Sequence, residues 1–124
     1  MSEPAKILWT GGWDSTFRVL SVLLMEERSV EPHHIVDTLR QSSLRELRAI
    51  GEIRKALDKL SPDAGARFGR LRITVKNDTP EDPAITALWK QLRRRFDIAI
   101  EYDWLARWAQ LHNLTDLELC LGKV

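Results

Sequence analysis

The sequence predicts an α/β protein, a sandwich built around a mostly parallel sheet of about four strands. Three observations carry this expectation. Short strand-like apolar runs alternate with longer stretches of helical periodicity. Glycine, proline and serine punctuate the changes of period. The composition is 44% hydrophobic and 30% charged over 124 residues, which suits one compact domain spanning residues 1–124.

Lys6 to Trp9 is a short apolar run directly before two glycines, and reads as a buried strand ending in a turn. From Ser15 to about Glu27, Phe17, Leu20, Leu23 and Leu24 recur at helical spacing, with Val19 and Val22 widening the apolar face. Asp14 or Thr10 is the candidate cap of that helix. The opening is therefore strand, Gly-rich turn, helix. Pro32 precedes a second strand over residues 33–39. Leu44, Leu47, Ile50, Ile53, Leu57 and Leu60 then mark an amphipathic helix, with Ser42 or Ser43 as its cap and Glu46 completing a capping box from Ser43. Ser61 to Gly65 ends it. Leu71, Ile73 and Val75 alternate with polar residues, giving a third strand. After a polar loop with Pro80 and Pro83, one helix is marked by Ile85, Leu88, Trp89, Leu92 and Phe96, and another by Tyr102, Leu105, Trp108 and Leu111. Leu117, Leu119 and Leu121 alternate as a closing strand.

That last strand has nothing in the sequence to cover its far edge. The chain is therefore expected to be the N-terminal half of a larger unit, or to borrow a neighbour's surface as a homodimer or with a partner subunit.

Charge and cysteine content narrow the function. A formal net charge of +1 gives no electrostatic case for wholesale nucleic-acid or membrane-surface binding. The single cysteine, Cys120, supplies neither an intrachain disulfide nor a multi-cysteine zinc site. The acidic, weakly apolar start does not read as a signal peptide, and the apolar cluster from Val19 to Met25 is far short of a membrane span. A cytoplasmic protein with no membrane partner is the expectation.

The stretch that carries chemistry is Ile7-Leu8-Trp9-Thr10-Gly11-Gly12-Trp13-Asp14-Ser15-Thr16. Two glycines let the backbone turn sharply and bring N–H groups close to an anion. The helix that follows adds free N–H groups and its positive dipole end. Thr10, Ser15 and Thr16 offer hydroxyl donors to phosphate oxygens. Asp14 repels phosphate, so it serves either as a cap or as a ligand on the Mg²⁺ side. Neither the Gly-Lys-Ser/Thr P-loop nor the three-glycine dinucleotide fingerprint is present.

Asp37 and Thr38 end the second strand, where parallel sheets form their crevice. They border an adenosine there, with the backbone of Val36 to Thr38 reading the adenine edge, or form an exposed strand end. Arg40 either neutralises phosphate by bidentate contact or sits solvated in the loop. Arg93-Arg94-Arg95 reads as a basic run answering a helix C-terminal dipole, ahead of the alternative of a contact with phosphate or tRNA. Tyr102, Trp104 and Trp108 read as core or dimer interface. His33 and His34 face opposite sides of a strand and do not jointly grip a metal. Cys120 reads as a small buried or edge side chain.

Thr10-Gly11-Gly12-Trp13-Asp14-Ser15 resembles the Ser-Gly-Gly-x-Asp-Ser signature of the PP-loop ATP pyrophosphatases, with Thr10 keeping the hydroxyl of the first serine. The resemblance implies a Rossmann-like fold of the HUP type, with ATP and Mg²⁺ as cofactors. It also implies adenylation of a carboxylate or carbonyl oxygen with release of pyrophosphate. Further stretches are similar to 7-cyano-7-deazaguanine synthase-like proteins: Ile35-Val36-Asp37 with Arg40, Ser42-Ser43 and Glu46; Pro80 to Pro83; Arg93-Arg94-Arg95; Tyr102 to Arg107; and Leu117-Glu118-Leu119. That branch implies a small carboxylate or a modified base as substrate, in an amide- or nitrile-forming ligase. The zinc-binding cysteines of that synthase have no counterpart here, so no zinc is expected. The implied nucleotide-binding set is Thr10, Gly11, Gly12, Trp13, Asp14, Ser15, Thr16, Val36, Asp37, Thr38 and Arg40, with Asp14 both catalytic and metal-facing. The alternative expectation is a catalytically incomplete nucleotide-binding or assembly subunit with a relict loop.

Overall fold

The computed structural model describes residues 3–10, 12–37, 39, 42–97 and 101–120. Two compact units form, Met1–Lys76 with Asp116–Val124, and Asn77–Thr115.

The first unit contains β1 (Ala5–Leu8), α1 (Trp13–Leu20) continued by a π-helical turn (Ser21–Met25), β2 (Val30–Val36), α2 (Ser42–Leu60), α3 (Pro62–Arg67), β3 (Arg72–Val75) and β4 (Glu118–Leu119). The strands form one sheet in the order β3-β2-β1-β4, and every neighbouring pair is parallel. The expected α/β, Rossmann-like architecture with a four-stranded parallel sheet is therefore present. Parallel neighbours need long crossovers, and the helices between strands supply them. From β1 the chain steps outward through β2 to β3, then returns to the opposite side of β1 to lay down β4. The strand order thus reverses between β1 and β4, which makes that crevice a topological switch point.

Alternation on β1 buries Ala5, Ile7 and Trp9 on one face, where they join Val30 of β2. Val19, Val22 and Leu23 cover them, as do Ile50 and Leu57 of α2, Ala64 of α3 and Phe68 just beyond it. Arg54 fastens α2 to the start of the next crossing, donating to Gly69 O and Phe68 O at 2.8 Å each. Its guanidinium lies 4.6 Å from the Phe68 ring centroid.

Several local expectations are corrected. α1 starts at Trp13, two residues early, and no side chain caps it, so neither Asp14 nor Thr10 is its cap. Its buried face runs through Ser15, Val19, Val22 and Leu23, while Phe17 and Leu24 are exposed. The cause is Ser15, whose bond back to Thr10 turns it inward and sets the phase for positions four, seven and eight residues later. Ser42 and Ser43 lie inside α2, and Ser43 is bonded to Asp37 instead of capping. Ser61-Pro62 does not merely stop α2. Ser61 accepts from Ala64 N, and Pro62 sits in the first turn, so a second helix starts. Pro32 lies within β2 and not ahead of it. β3 pairs with β2 only from His33 onward, so the proline precedes that ladder and its missing N–H costs little there.

The second unit is a pair of helices, α4 (Pro83–Arg93) and α5 (Glu101–Leu111). Asp82 caps α4 by accepting from Ala84 N and Ile85 N. Trp89, Leu105 and Trp108 are buried, and Thr86 Oγ1 donates to Asp103 Oδ1 at 2.8 Å. Tyr102 is more exposed than the core reading requires. The basic run falls at the C-terminus of α4 as expected, with Arg93 lying 5.2 Å from the Trp89 ring centroid. Among the described residues no helix is long and apolar enough to cross a membrane.

Candidate functional site

The turn from β1 into α1 lies at the switch point and is built on Trp9. Its indole is fully buried, with the ring centroid 5.2 Å from that of Phe68. Its backbone N donates to His33 O at 2.7 Å, and its carbonyl accepts from His34 Nδ1 at 2.8 Å. Its Nε1 donates to Thr16 Oγ1 at 2.9 Å, so the floor of the turn is pinned to the helix it leads into.

Above that floor the hydroxyls close on one another. Thr10 N donates to Ser15 Oγ at 3.1 Å, the two side-chain oxygens are 3.1 Å apart, and Gly12 N donates to Thr10 Oγ1 at 3.2 Å. When Ser15 gives its proton to Thr10, the Thr10 O–H remains free for an outside acceptor. The first intrahelical bond runs from Thr16 N to Gly12 O at 3.1 Å. The N–H groups of Trp13, Asp14 and Ser15 therefore precede the intrahelical ladder at the positive end of the dipole. Gly12 sits at φ −82°, open to any residue, but a Cβ there would lie 3.3 Å from Thr10 Oγ1. The glycine keeps the approach clear and does not relieve backbone strain.

The cation beside the turn is neutralised. Arg18 donates from Nε to Glu118 Oε1 at 2.7 Å and from Nη1 to Glu26 Oε2 at 2.6 Å, tying α1 to β4. The Glu118 carboxylate first, and Glu26 after it, hold the guanidinium still more firmly protonated, while Arg18 holds Glu26 below the usual carboxylate range. Cys120 follows β4 half-buried. Burial pushes its thiol pKa up, Glu118 and Asp14 push it further, and Arg18 opposes them.

Thr10, Gly12, Ser15 and Thr16 thus come together, with Trp13 and Asp14 exposed on the first turn of α1. Val36 is the last residue of β2. Asp37 is committed to its own turn. Its N donates to Ser43 Oγ at 3.2 Å, its O accepts from Ser43 Oγ at 2.9 Å, and Oδ1 accepts from Leu39 N at 3.0 Å. Its other oxygen lies 3.6 Å from Lys76 Nζ. Gly11, Thr38 and Arg40 lie outside the described residues. The sequence reading gives Trp9 and His34 no part in the turn, and only the pairing of β2 with β1 brings them together. His33 faces the other way, to Glu31 Oε2 at 2.6 Å.

No family model, curated protein or solved structure matches the chain.

Proposed function

We propose that this chain binds Mg-ATP at the turn between β1 and α1 and is a PP-loop protein of the ATP pyrophosphatase type. The observation that supports it is an uncapped helix N-terminus behind a Thr-Gly-Gly-Trp-Asp-Ser turn, set at the topological switch of a parallel sheet. The free N–H groups of the first helical turn, with the Thr10 and Thr16 hydroxyls, suit the β- and γ-phosphates. A carboxylate or carbonyl oxygen of a small acid or nucleobase-like substrate attacks the α-phosphorus. The bond to the β-phosphate bridging oxygen breaks, and pyrophosphate leaves with its charge held by those donors. Positioning and charge stabilisation carry such a step, so no side-chain nucleophile is required.

Among the described residues no group of three or more His, Cys, Asp or Glu is arranged to hold a metal ion. Magnesium carried by a nucleotide needs only one or two carboxylates besides the phosphates, and the exposed carboxylate of Asp14 suits that need.

A second reading, a nucleotide-binding module without complete catalysis, is favoured by Arg18. It is the cation on α1, and Glu118 and Glu26 already neutralise it. Calorimetry with Mg-ATP and pyrophosphate release with a panel of carboxylic acids separate the two. Binding with release supports the enzyme. Binding without release from any acid leaves the module. A folded protein that does not bind ATP removes both.

A further inference from the structure

We infer that two copies of this chain pair through the second unit, with α4 of one lying antiparallel against α4 of the other across a twofold axis. The inference goes beyond the nucleotide reading and does not rest on it. The α4–α5 hairpin buries Trp89, Leu105 and Trp108, but Leu88 stays 60% exposed, Leu92 49% and Phe96 60%. Ile85, Leu88, Leu92 and Phe96 follow one another at spacings of three, four and four residues, the seam of a helix that packs against another. Phe96 N donates to Leu92 O at 2.9 Å, so the helical phase carries past Arg93 to the end of that seam. Beside the seam a mostly apolar groove of about 530 Å³ opens between α4 and α5, with Tyr102 and Ala106 on its α5 side. A contiguous apolar face of this kind marks a surface that something covers.

Charge chooses the occupant. Acids precede α4, at Asp78, Glu81 and Asp82, and bases close it, at Lys90, Arg93, Arg94 and Arg95. All of these except Asp82 are exposed. A helix that suits the groove has an apolar seam of its own and the reverse polarity, basic where α4 is acidic. The same α4 turned end for end is such a helix, so the face is complementary to itself, as a twofold interface requires. Glu81 and Arg95 lie seven residues to either side of Leu88. A twofold axis near Leu88 therefore forms two equivalent Glu81–Arg95 pairs across the interface, with Ile85 close to the partner's Leu92. A parallel pairing sets acid on acid and base on base, and aligns the two helix dipoles unfavourably.

Light scattering and sedimentation of the full chain, from about 1 μM to about 100 μM, test the pairing over the range expected of a small interface. A dimer is expected with a dissociation constant on the order of 10 μM, weaker at high salt. Leu88→Glu is expected to leave a monomer throughout that range. The native side chain is exposed, so circular dichroism should show an unaltered fold. Glu81→Arg and Arg95→Glu are each expected to weaken the dimer about ten-fold, because each puts like charges together at both symmetric contacts. Combining the two swaps remakes the pairs with their signs exchanged and is expected to restore the dimer to within about three-fold of native. A native chain that is monomeric at every concentration overturns the inference and leaves the groove to another occupant. A dimer that Leu88→Glu leaves intact overturns it as well, by placing the interface elsewhere. So does a dimer that the single swaps weaken and the double swap fails to restore, since the antiparallel pairs are then not made.

Discussion

The turns after β1 and β2 share a device and differ in what they leave open. In each, a serine in the first turn of the following helix reaches back and accepts the N–H of a residue just past the strand. Ser15 does this for Thr10 at 3.1 Å, and Ser43 for Asp37 at 3.2 Å. Ser43 then donates to Asp37 O, and the Asp37 carboxylate is taken by Leu39 N and Lys76. Ser15 instead turns to the Thr10 side chain, and the N–H groups of the next helical turn carry no side-chain cap. A turn whose described polar groups are already taken up, as those of Asp37 are, is a structural joint. One that keeps its shape while leaving donors unspent is suited to a ligand.

The strongest way to break this contrast is to remove the floor of the first turn. Trp9→Ala deletes a fully buried indole and its bond to Thr16, and is expected to cost about 3–5 kcal/mol in urea unfolding. A midpoint that does not move would show that the turn is not anchored there. Gly12→Val acts chiefly on binding, its Cβ also pressing on Thr10 Oγ1 at 3.3 Å. It is expected to weaken Mg-ATP about 100-fold, or about 2.7 kcal/mol, with little change in the unfolding midpoint, because φ −82° strains no residue. Ser43→Ala sharpens the comparison from the other side. Leaving the Asp37 N–H without its acceptor is expected to cost about 2 kcal/mol of stability while ATP affinity stays within about two-fold. Asp82→Ala, which uncaps α4 in the second unit, is expected to cost about 1 kcal/mol, seen as a small loss of helicity and midpoint. The smallest effect concerns Cys120. Its alkylation by iodoacetamide should set in at higher pH than that of an unhindered thiol, and Asp14→Asn should move the onset slightly down. An onset unaffected by Asp14→Asn would separate Asp14 from the end of β4.

Much of the first turn was legible because its residues are contiguous. The change of period at Gly11-Gly12 marks where strand gives way to helix, and Thr10, Gly12, Ser15 and Thr16 meet as their spacing suggests. The helix phase was not legible. Periodicity alone favours the larger side chains Phe17 and Leu24, whereas the inward turn of Ser15 buries the slimmer valines against the sheet. Other features depend on strand order. The Trp9 carbonyl meets His34 only once β2 lies beside β1, and Arg18 meets Glu118 across a separation of 100 residues. Pro32 reads as lying ahead of the strand until the register shows it inside β2, with β3 joining one residue later. Ser43 reads as a cap, and only the position of Asp37 shows it bonded back to the end of β2 instead.

Whether the open turn holds the phosphates of ATP is read out by calorimetric titration of the folded chain with Mg-ATP. The expected result is saturable binding of one nucleotide per chain that Gly12→Val weakens about 100-fold and Ser43→Ala preserves. No binding by the native chain, or equal affinity in the Gly12→Val protein, would contradict it.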